Sequence, residues 1–394
     1  MCIREHVYQC IIPPHMLEQI MAQGTPEQRD HAVQNIVAAE RFRTQRRVMA
    51  EFAATPAPSA LISPEKQRIV YNAQNRTNLP GVPVRSEGQP PTGDPAVDEA
   101  YDGAGVTYDL FNVIYGRNSI DDRGMRIEST VHYGVGYDNA FWNGQRMVYG
   151  DGDEDLPQDQ RLFNRFTIAV DIIGHELTHG VTQYEAGLIY RNQPGALNES
   201  MSDVFGILVK QRALGQTAVE SDWVIGGGLF TPNVNGAGIR SMKAPGTAYN
   251  DPILGRDPQP GHMRDYNNTL EDNGGVHINS GIPNRAFYVT AVELGGFAWE
   301  KAGRIWYVAL RDKLRSASNF AEAADLTWQT AGELYGRGSL EQQAVRAGWA
   351  EVGILISEGG DGGGNGGDDD GYQGPSGCLP TLLTRAWVRY VLGR

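Results

Sequence analysis

His175, Glu176 and His179 stand together in the run His175-Glu176-Leu177-Thr178-His179. On an α-helix, residues four apart lie one turn above the other on one face, so both imidazoles can point at one cation. Glu176 follows the first histidine directly and projects beside that cation rather than onto it. A carboxylate there can act as base on a metal-bound water. The competing reading is an exposed helix face that happens to carry two histidines and a glutamate. The flanks argue against it: Val170, Ile172, Ile173, Leu177 and Val181 make the helix largely apolar and therefore buried. Imidazoles and a carboxylate inside a buried helix are costly unless paired or metal-bound.

Two histidines need a third protein ligand, with one position left open for water. The run GALNESMSD (195–203) offers Glu199 and Asp203, again four apart on one helical face. One carboxylate can bind the metal. The other can accept a hydrogen bond from the far nitrogen of a ligand histidine, and Asn198 can do the same for the second. Leu197, Met201, Val204 and Phe205 argue against a merely solvated acidic face. A developing oxyanion also needs donors. Asp272-Asn273-Gly274-Gly275-Val276-His277 supplies a histidine with a carboxylate close enough in sequence to orient it and raise its pKa, and Tyr190 lies between the first two motifs.

These residues require elements to hold them. The chain of 394 residues is long enough for two or three domains. Residues 1–53 read as a small helical segment, with a helix predicted from Thr25-Pro26 to about Phe52. Pro13-Pro14 read as a break, and with Glu5 and His6 they argue against a signal peptide. The run ATPAPSALISP (54–64) has linker composition, open to proteolysis. From Arg68 to about Gly150, short β-type runs such as RIVYNA and STVHYGVGY alternate with turns. A long helix is predicted over 160–184, and helices again over 197–213, 281–294, 299–315, 319–336 and 339–355. The Gly/Asp tract at 357–376 reads as disordered and 377–394 as a tail.

The formal net charge is −13, all of it carried after residue 64, which argues against nucleic acid as a partner. No stretch approaches the ~20 apolar residues that span a bilayer. Three cysteines, Cys2, Cys10 and Cys378, give no disulfide framework.

The blocks NAFWNGQRMVYGDGD (139–153), VDIIGHELTHGVTQYEAGLIY (170–190), GALNESMSDVFG (195–206), IRSM (239–242) and DNGGVHINSGIPNRAFY (272–288) resemble the thermolysin family of neutral metalloproteases. The front end, with IIPPHML (11–17), is similar to the protealysin-like subgroup, which carries a short propeptide. The resemblance implies an α+β fold of two domains, β-rich at 66–185 with the active-site helix and helical at 186–356. It implies that His175, His179 and Glu199 bind one catalytic Zn2+, that Glu176 is the base, and that Tyr190 and His277 stabilise the oxyanion with Asp272 orienting His277. Asp203 and Asn198 would steady the zinc histidines. Asn139, the Ala140 carbonyl and Arg240 would grip the substrate backbone. Ile239 would line the pocket, with Phe163, Phe166 or Ile172 as its wall. Peptide bonds on the amino side of bulky apolar residues are the implied substrate.

By the same resemblance, residues 1–55 are an inhibitory propeptide, removed by self-cleavage within 56–65 or close to it. The protein would be a monomer exported by a non-classical route, with the cytoplasm as the alternative. Cys10 is read either as a thiol reaching the metal or as a small core residue. Asp171 and Asp222 match family calcium ligands, but Lys210, Val224 and Gly227 stand where further acidic ligands belong. The double calcium site is therefore expected to be lost, with a Lys210 ammonium in its place and one weaker calcium left open. A zinc-bearing binding protein without catalysis would be expected to lack Glu176, Tyr190 or His277, and all three are present.

Overall fold

The computed structural model of the chain describes residues 9–38 and 65–357. The expected linker and cleavage region (56–64), the Gly/Asp tract and the tail lie outside the described residues.

Residues 65–150 carry most of a six-stranded sheet. Its strands are β1 (Gln9–Cys10), β2 (Arg68–Asn72), β3 (Val82–Ser86), β4 (Ile127–Val131), β5 (Ala140–Trp142) and β6 (Met147–Tyr149), in the order β1-β5-β6-β4-β2-β3. β2, β4 and β6 run parallel, whereas β5 returns antiparallel to β6. Helix α3 (Pro95–Asp109) starts where Asp94 caps the amides of Ala96 and Val97, with Pro95 at a position that has no N–H to waste. It lies against β2 and β4 and packs on the central helix α4 (Val170–Tyr184). Beyond α4 the chain is mainly helical: α5 (Asn192–Leu214), α6 (Asp272–Asn279), α7 (Gly281–Leu294), α8 (Ala302–Val308), α9 (Phe320–Tyr335) and α10 (Leu340–Glu351). The expected two-part α+β architecture is therefore the one observed.

Several boundaries differ from the sequence reading. The helix predicted over 160–184 begins only at Val170. Among the ten residues before it, several give their amides to distant partners instead of to a helical ladder: Leu162 and Phe163 donate to Asp153, Asn164 to Leu229 and Phe166 to Gly150. α5 begins at Asn192 rather than 197, with Pro194 in its first turn, where a missing N–H costs little. Pro14 does not break a helix but starts one, α1 (Pro14–Gln23), which buries Met16, Leu17 and Ile20. The helix predicted from Thr25 follows as α2 (26–38), and its continuation towards Phe52 lies outside the described residues. The stretch predicted as helix 299–315 is α8 followed by a π-type turn, Ala309–Lys313.

Strand β1 had no counterpart in the sequence reading. Two residues are too few to show a period, and they are a strand only because β5 offers an open edge, with Cys10 opposite Phe141.

Among the described residues no helix is long and apolar enough to cross a membrane.

Candidate active site

α4 is buried from Asp171 to Thr182, as its apolar flanks require. It meets α5 at two glycines. A Cβ on Gly206 would stand 2.5 Å from the Asp171 carbonyl and 3.1 Å from the His175 amide, so only glycine permits this approach. The close crossing brings the two motif helices into one cluster. His175 Nε2 and His179 Nε2 are 3.0 Å apart, and Glu199 oxygens lie 3.5 and 3.4 Å from them.

The far nitrogens settle which atoms face inward. His175 Nδ1 is 2.8 Å from Asp203 Oδ1 and His179 Nδ1 is 2.8 Å from Asn198 Oδ1. Both acceptors demand an N–H, so in the neutral rings both Nε2 atoms present lone pairs to each other. Burial and the neighbouring His175 hold His179 well below its ordinary pKa, which keeps it neutral. Two facing lone pairs and a carboxylate repel in a buried space. Glu199 Oε2 is also buried without a hydrogen-bond partner. A divalent cation resolves all three problems, and two imidazoles plus one carboxylate suit Zn2+. His175, His179 and Glu199 thus fit the metal the sequence suggested.

Asp203 does more than sequence reasoning asked of it. It accepts from His175, from Arg240 Nη2 and Nε at 2.8 Å each, and from Asn284 Nδ2 at 2.8 Å. Burial works against its charge, but Arg240 and His175 hold it well below the usual carboxylate range. The Arg240–Asp203 pair and Asn284 were not foreseen. Arg240 was expected only as a substrate-binding group and Asn284 fell only within the run 272–288, and no spacing rule links 203 to 240 or 284. Ser202, whose Oγ is 2.9 Å from His179 Nδ1, was missed for the same reason.

Glu176 is wholly buried beside the donors. Its Oε2 accepts from the Trp142 amide at 2.9 Å, and Oε1 has no partner. Burial and then the nearby Glu199 push its pKa well above the ordinary value.

Across the cleft stands His277, which α6 positions by an unusual entry. Asp272, Asn273, Gly274 and Gly275 all have positive φ, from 50° to 86°. This left-handed turn suits Asn and Gly. It folds Asp272 back so that Oδ2 accepts the His277 amide at 2.8 Å and Oδ1 the ring Nδ1 at 2.6 Å. Burial alone would lower the imidazole, but Asp272 and Glu199 raise it to about 9. Tyr190 OH is 3.1 Å from His277 Nε2 and donates to Glu199 Oε1. Burial and Glu199 keep the phenol protonated by raising its pKa well above the ordinary value.

The groups expected to hold substrate backbone are all engaged by the N-terminal segment. His277 Nε2 is 3.1 Å from the Cys10 carbonyl. Ile11 N donates to Ala140 O at 3.2 Å, and Ile11 O accepts from Arg240 Nη1 at 3.3 Å. Ile12 N donates to Asn139 Oδ1 at 3.1 Å. The Ile11 side chain is fully buried in the apolar core that also holds Ile239, Ile172, Phe163 and Phe166. Ile239 and Ile172 meet beside Gly226, and Phe163 and Phe166 pack ring against ring at 6.0 Å. Cys10 reaches the site through its backbone carbonyl, and its side chain packs on a small core cluster around Phe141 and Tyr137. The metal-type donor group here is His175, His179 and Glu199, without Cys10.

Between Asp171 and Asp222 stands Lys210. Its ammonium is 2.9 and 3.0 Å from the Asp222 oxygens, 3.0 Å from Val224 O and 3.8 Å from Asp171 Oδ2.

Comparison with known proteins points the same way. The family model described as thermolysin metallopeptidase, catalytic domain, matches residues 59–183, and the one described as thermolysin metallopeptidase, alpha-helical domain, matches 186–354. An extracellular metalloprotease of Pectobacterium carotovorum subsp. carotovorum is 51% identical over 88% of this chain and 97% of its own. Protease PrtS of a Photorhabdus species is 44% identical over 91% and 95%. Among solved structures, the precursor of protealysin, a metalloproteinase from Serratia proteamaculans, superposes with a TM-score of 0.78 at 51% identity, covering 88% of this chain and all of that one.

Proposed function

The chain belongs to the thermolysin metallopeptidase family and is a metalloendopeptidase; we propose that it is made as an inhibited, self-processing precursor of a zinc-dependent neutral enzyme. The observation that carries this reading is the extended segment Cys10-Ile11-Ile12, laid along the edge of β5 with its backbone on His277, Ala140, Arg240 and Asn139. Adding a strand to an open sheet edge is how an extended peptide is held by main-chain bonds. A substrate would be held in the same way after residues 1–55 leave.

In this arrangement the Cys10–Ile11 bond stands where a scissile bond would. Ile11, the residue after that bond, is a bulky apolar side chain that is fully buried in the core to which Ile239 also belongs, which supports cleavage on the amino side of bulky apolar residues. Bound at His175, His179 and Glu199, zinc would supply Lewis acidity to polarise a peptide carbonyl and acidify water. Glu176 takes the proton of the attacking water. Its raised pKa lets it hold that proton and then hand it to the departing amine. His277, kept charged by Asp272, and Tyr190 donate to the oxygen that gains negative charge. Arg240, tied to Asp203 by two hydrogen bonds, presents its remaining nitrogen to the substrate carbonyl.

In this reading Lys210 takes the place of the double calcium site between Asp171 and Asp222, and zinc is the catalytic metal. The mature enzyme acts as a monomer on proteins and peptides outside the cell; the relative from Pectobacterium carotovorum is named an extracellular metalloprotease, which supports the location.

The test is Glu176→Gln in the full chain. Casein cleavage should fall by about 10²–10⁴, bound zinc should persist, and the protein should stay full length. Wild type should shorten, with a new N-terminus between residues 50 and 65. Unchanged turnover would sink the mechanism, and equal shortening of both chains would assign the cut to a foreign protease.

A further inference from the structure

A second buried group of metal-type donors lies away from the catalytic cluster, and it spans the junction between the N-terminal segment and the body. His31 stands on α2, Asp138 just before β5 and Asp153 just after β6. His31 Nδ1 is 3.1 Å from Asp153 Oδ1 and 3.7 Å from Asp138 Oδ2. The first separation falls within the 3.0–3.5 Å found among the catalytic donors and the second is 0.2 Å longer. Donors on one tetrahedral zinc, each about 2.0–2.1 Å from the metal, stand about 3.3 Å apart.

Each of the three is held as a ligand would be. The other ring nitrogen of His31 faces a carboxylate, Asp155 Oδ2 at 3.3 Å, as His175 Nδ1 faces Asp203. Such a contact fixes an imidazole with its free lone pair towards a metal. Asp153 is aimed by two backbone amides, Leu162 N at 2.7 Å and Phe163 N at 3.0 Å, both on Oδ2. That leaves Oδ1 for the cluster. Asp138 is only 3% exposed, and its Oδ1 is buried with no hydrogen-bond partner, the same defect seen at Glu199 Oε2 in the catalytic cluster. Two buried carboxylates, Asp138 and Asp153, converge with the exposed Asp155 on one imidazole, which can offer a single positive charge at most. The excess negative charge in a buried place calls for a cation.

We propose that His31, Asp138 and Asp153 form a second site for a divalent transition ion of the class that accepts mixed imidazole and carboxylate donors, such as Zn2+. One ligand comes from the segment that the proposed function removes and two from the body that stays. The ion therefore clamps the precursor, and departure of residue 31 dismantles the site. The clamping role rests on the precursor reading; the binding of the ion does not.

The experiment uses the full-length Glu176→Gln chain, stripped with chelator, dialysed against Zn2+ and counted for metal. Two equivalents are expected. His31→Ala should bind one, and so should Asp138→Asn, which keeps the side-chain shape; circular dichroism checks that both are folded. One equivalent in the parent, or two that survive both substitutions, overturns the proposal. A parallel His179→Ala chain separates the two readings. If it loses an ion while His31→Ala loses none, the second site is wrong and the catalytic site stands. If the chain is nicked between residues 50 and 65 by an added protease, Zn2+ should slow release of the N-terminal fragment at least ten-fold, and equal release with and without Zn2+ overturns the clamp.

Discussion

At the scale of single residues, the site is a set of charges that hold one another in place. Asp203 fixes His175, a proposed zinc ligand, and at the same time anchors Arg240, a proposed substrate-binding group, so under that reading a substitution there would damage metal binding and substrate grip together. Asp272 gives a cleaner case, because it acts on one partner. It accepts both the amide and the ring N–H of His277 and is a main reason that the imidazole titrates at about 9. A raised pKa means that the charged donor is present below that value and lost as pH rises through it. The alkaline limb of kcat/KM should therefore fall near pH 9. In Asp272→Asn the amide oxygen can still accept one hydrogen bond, but the charge is gone. The limb should move to lower pH while zinc content is unchanged. A limb that stays in place would show that another group controls it.

At the scale of elements, α4 and α5 set the geometry, and their neighbourhood must neutralise Asp171. That carboxylate is buried at the start of α4, and its helpers are the amides of Ile172 and Gly226 and the Lys210 ammonium. Burial raises its pKa, and Lys210 is the first cause opposing that rise. Lys210→Met keeps the aliphatic stem and removes the charge. It should cost about 1–3 kcal/mol, the usual cost of leaving a buried polar group without its partner. A thermal melt in the presence of chelator would read this as a lowered Tm. An unchanged Tm would mean that Lys210 is ornamental and that the expected exchange of calcium for ammonium is wrong.

At the scale of the whole molecule, the N-terminal segment adds the edge strand of the sheet and occupies the backbone-binding groups Ala140, Arg240, Asn139 and His277. α1 adds Met16, Leu17 and Ile20 to the same apolar core that contains Ile11. Ile11→Asp would force a charge into that core, at a cost of several kcal/mol. The uncut precursor should then cleave a small peptide at least ten-fold faster than uncut wild type, measured before any shortening is visible on a gel. Equal latency would show that Ile11 does not hold the segment in place.

What the sequence determined by itself was whatever short spacing controls. His175 and His179 lie one turn apart on one helical face, and so do Glu199 and Asp203, because 3.6 residues per turn leaves no other arrangement on a helix. The apolar flanks of α4 declared it buried, and the β-rich and helical halves were legible from their periods. Asp272 and His277 were visible as neighbours, though not the left-handed turn that joins them. Only the tertiary structure decided the rest. Gly174 and Gly206 allow two helices to cross closely enough for their ligands to meet. Arg240 and Asn284 reach Asp203 across long stretches of chain, and β1 exists only because β5 has an edge to offer. His31 meets Asp138 and Asp153 from more than a hundred residues away. None of these pairings leaves a period in the sequence, because each is fixed by where packed elements approach and not by any local repeat.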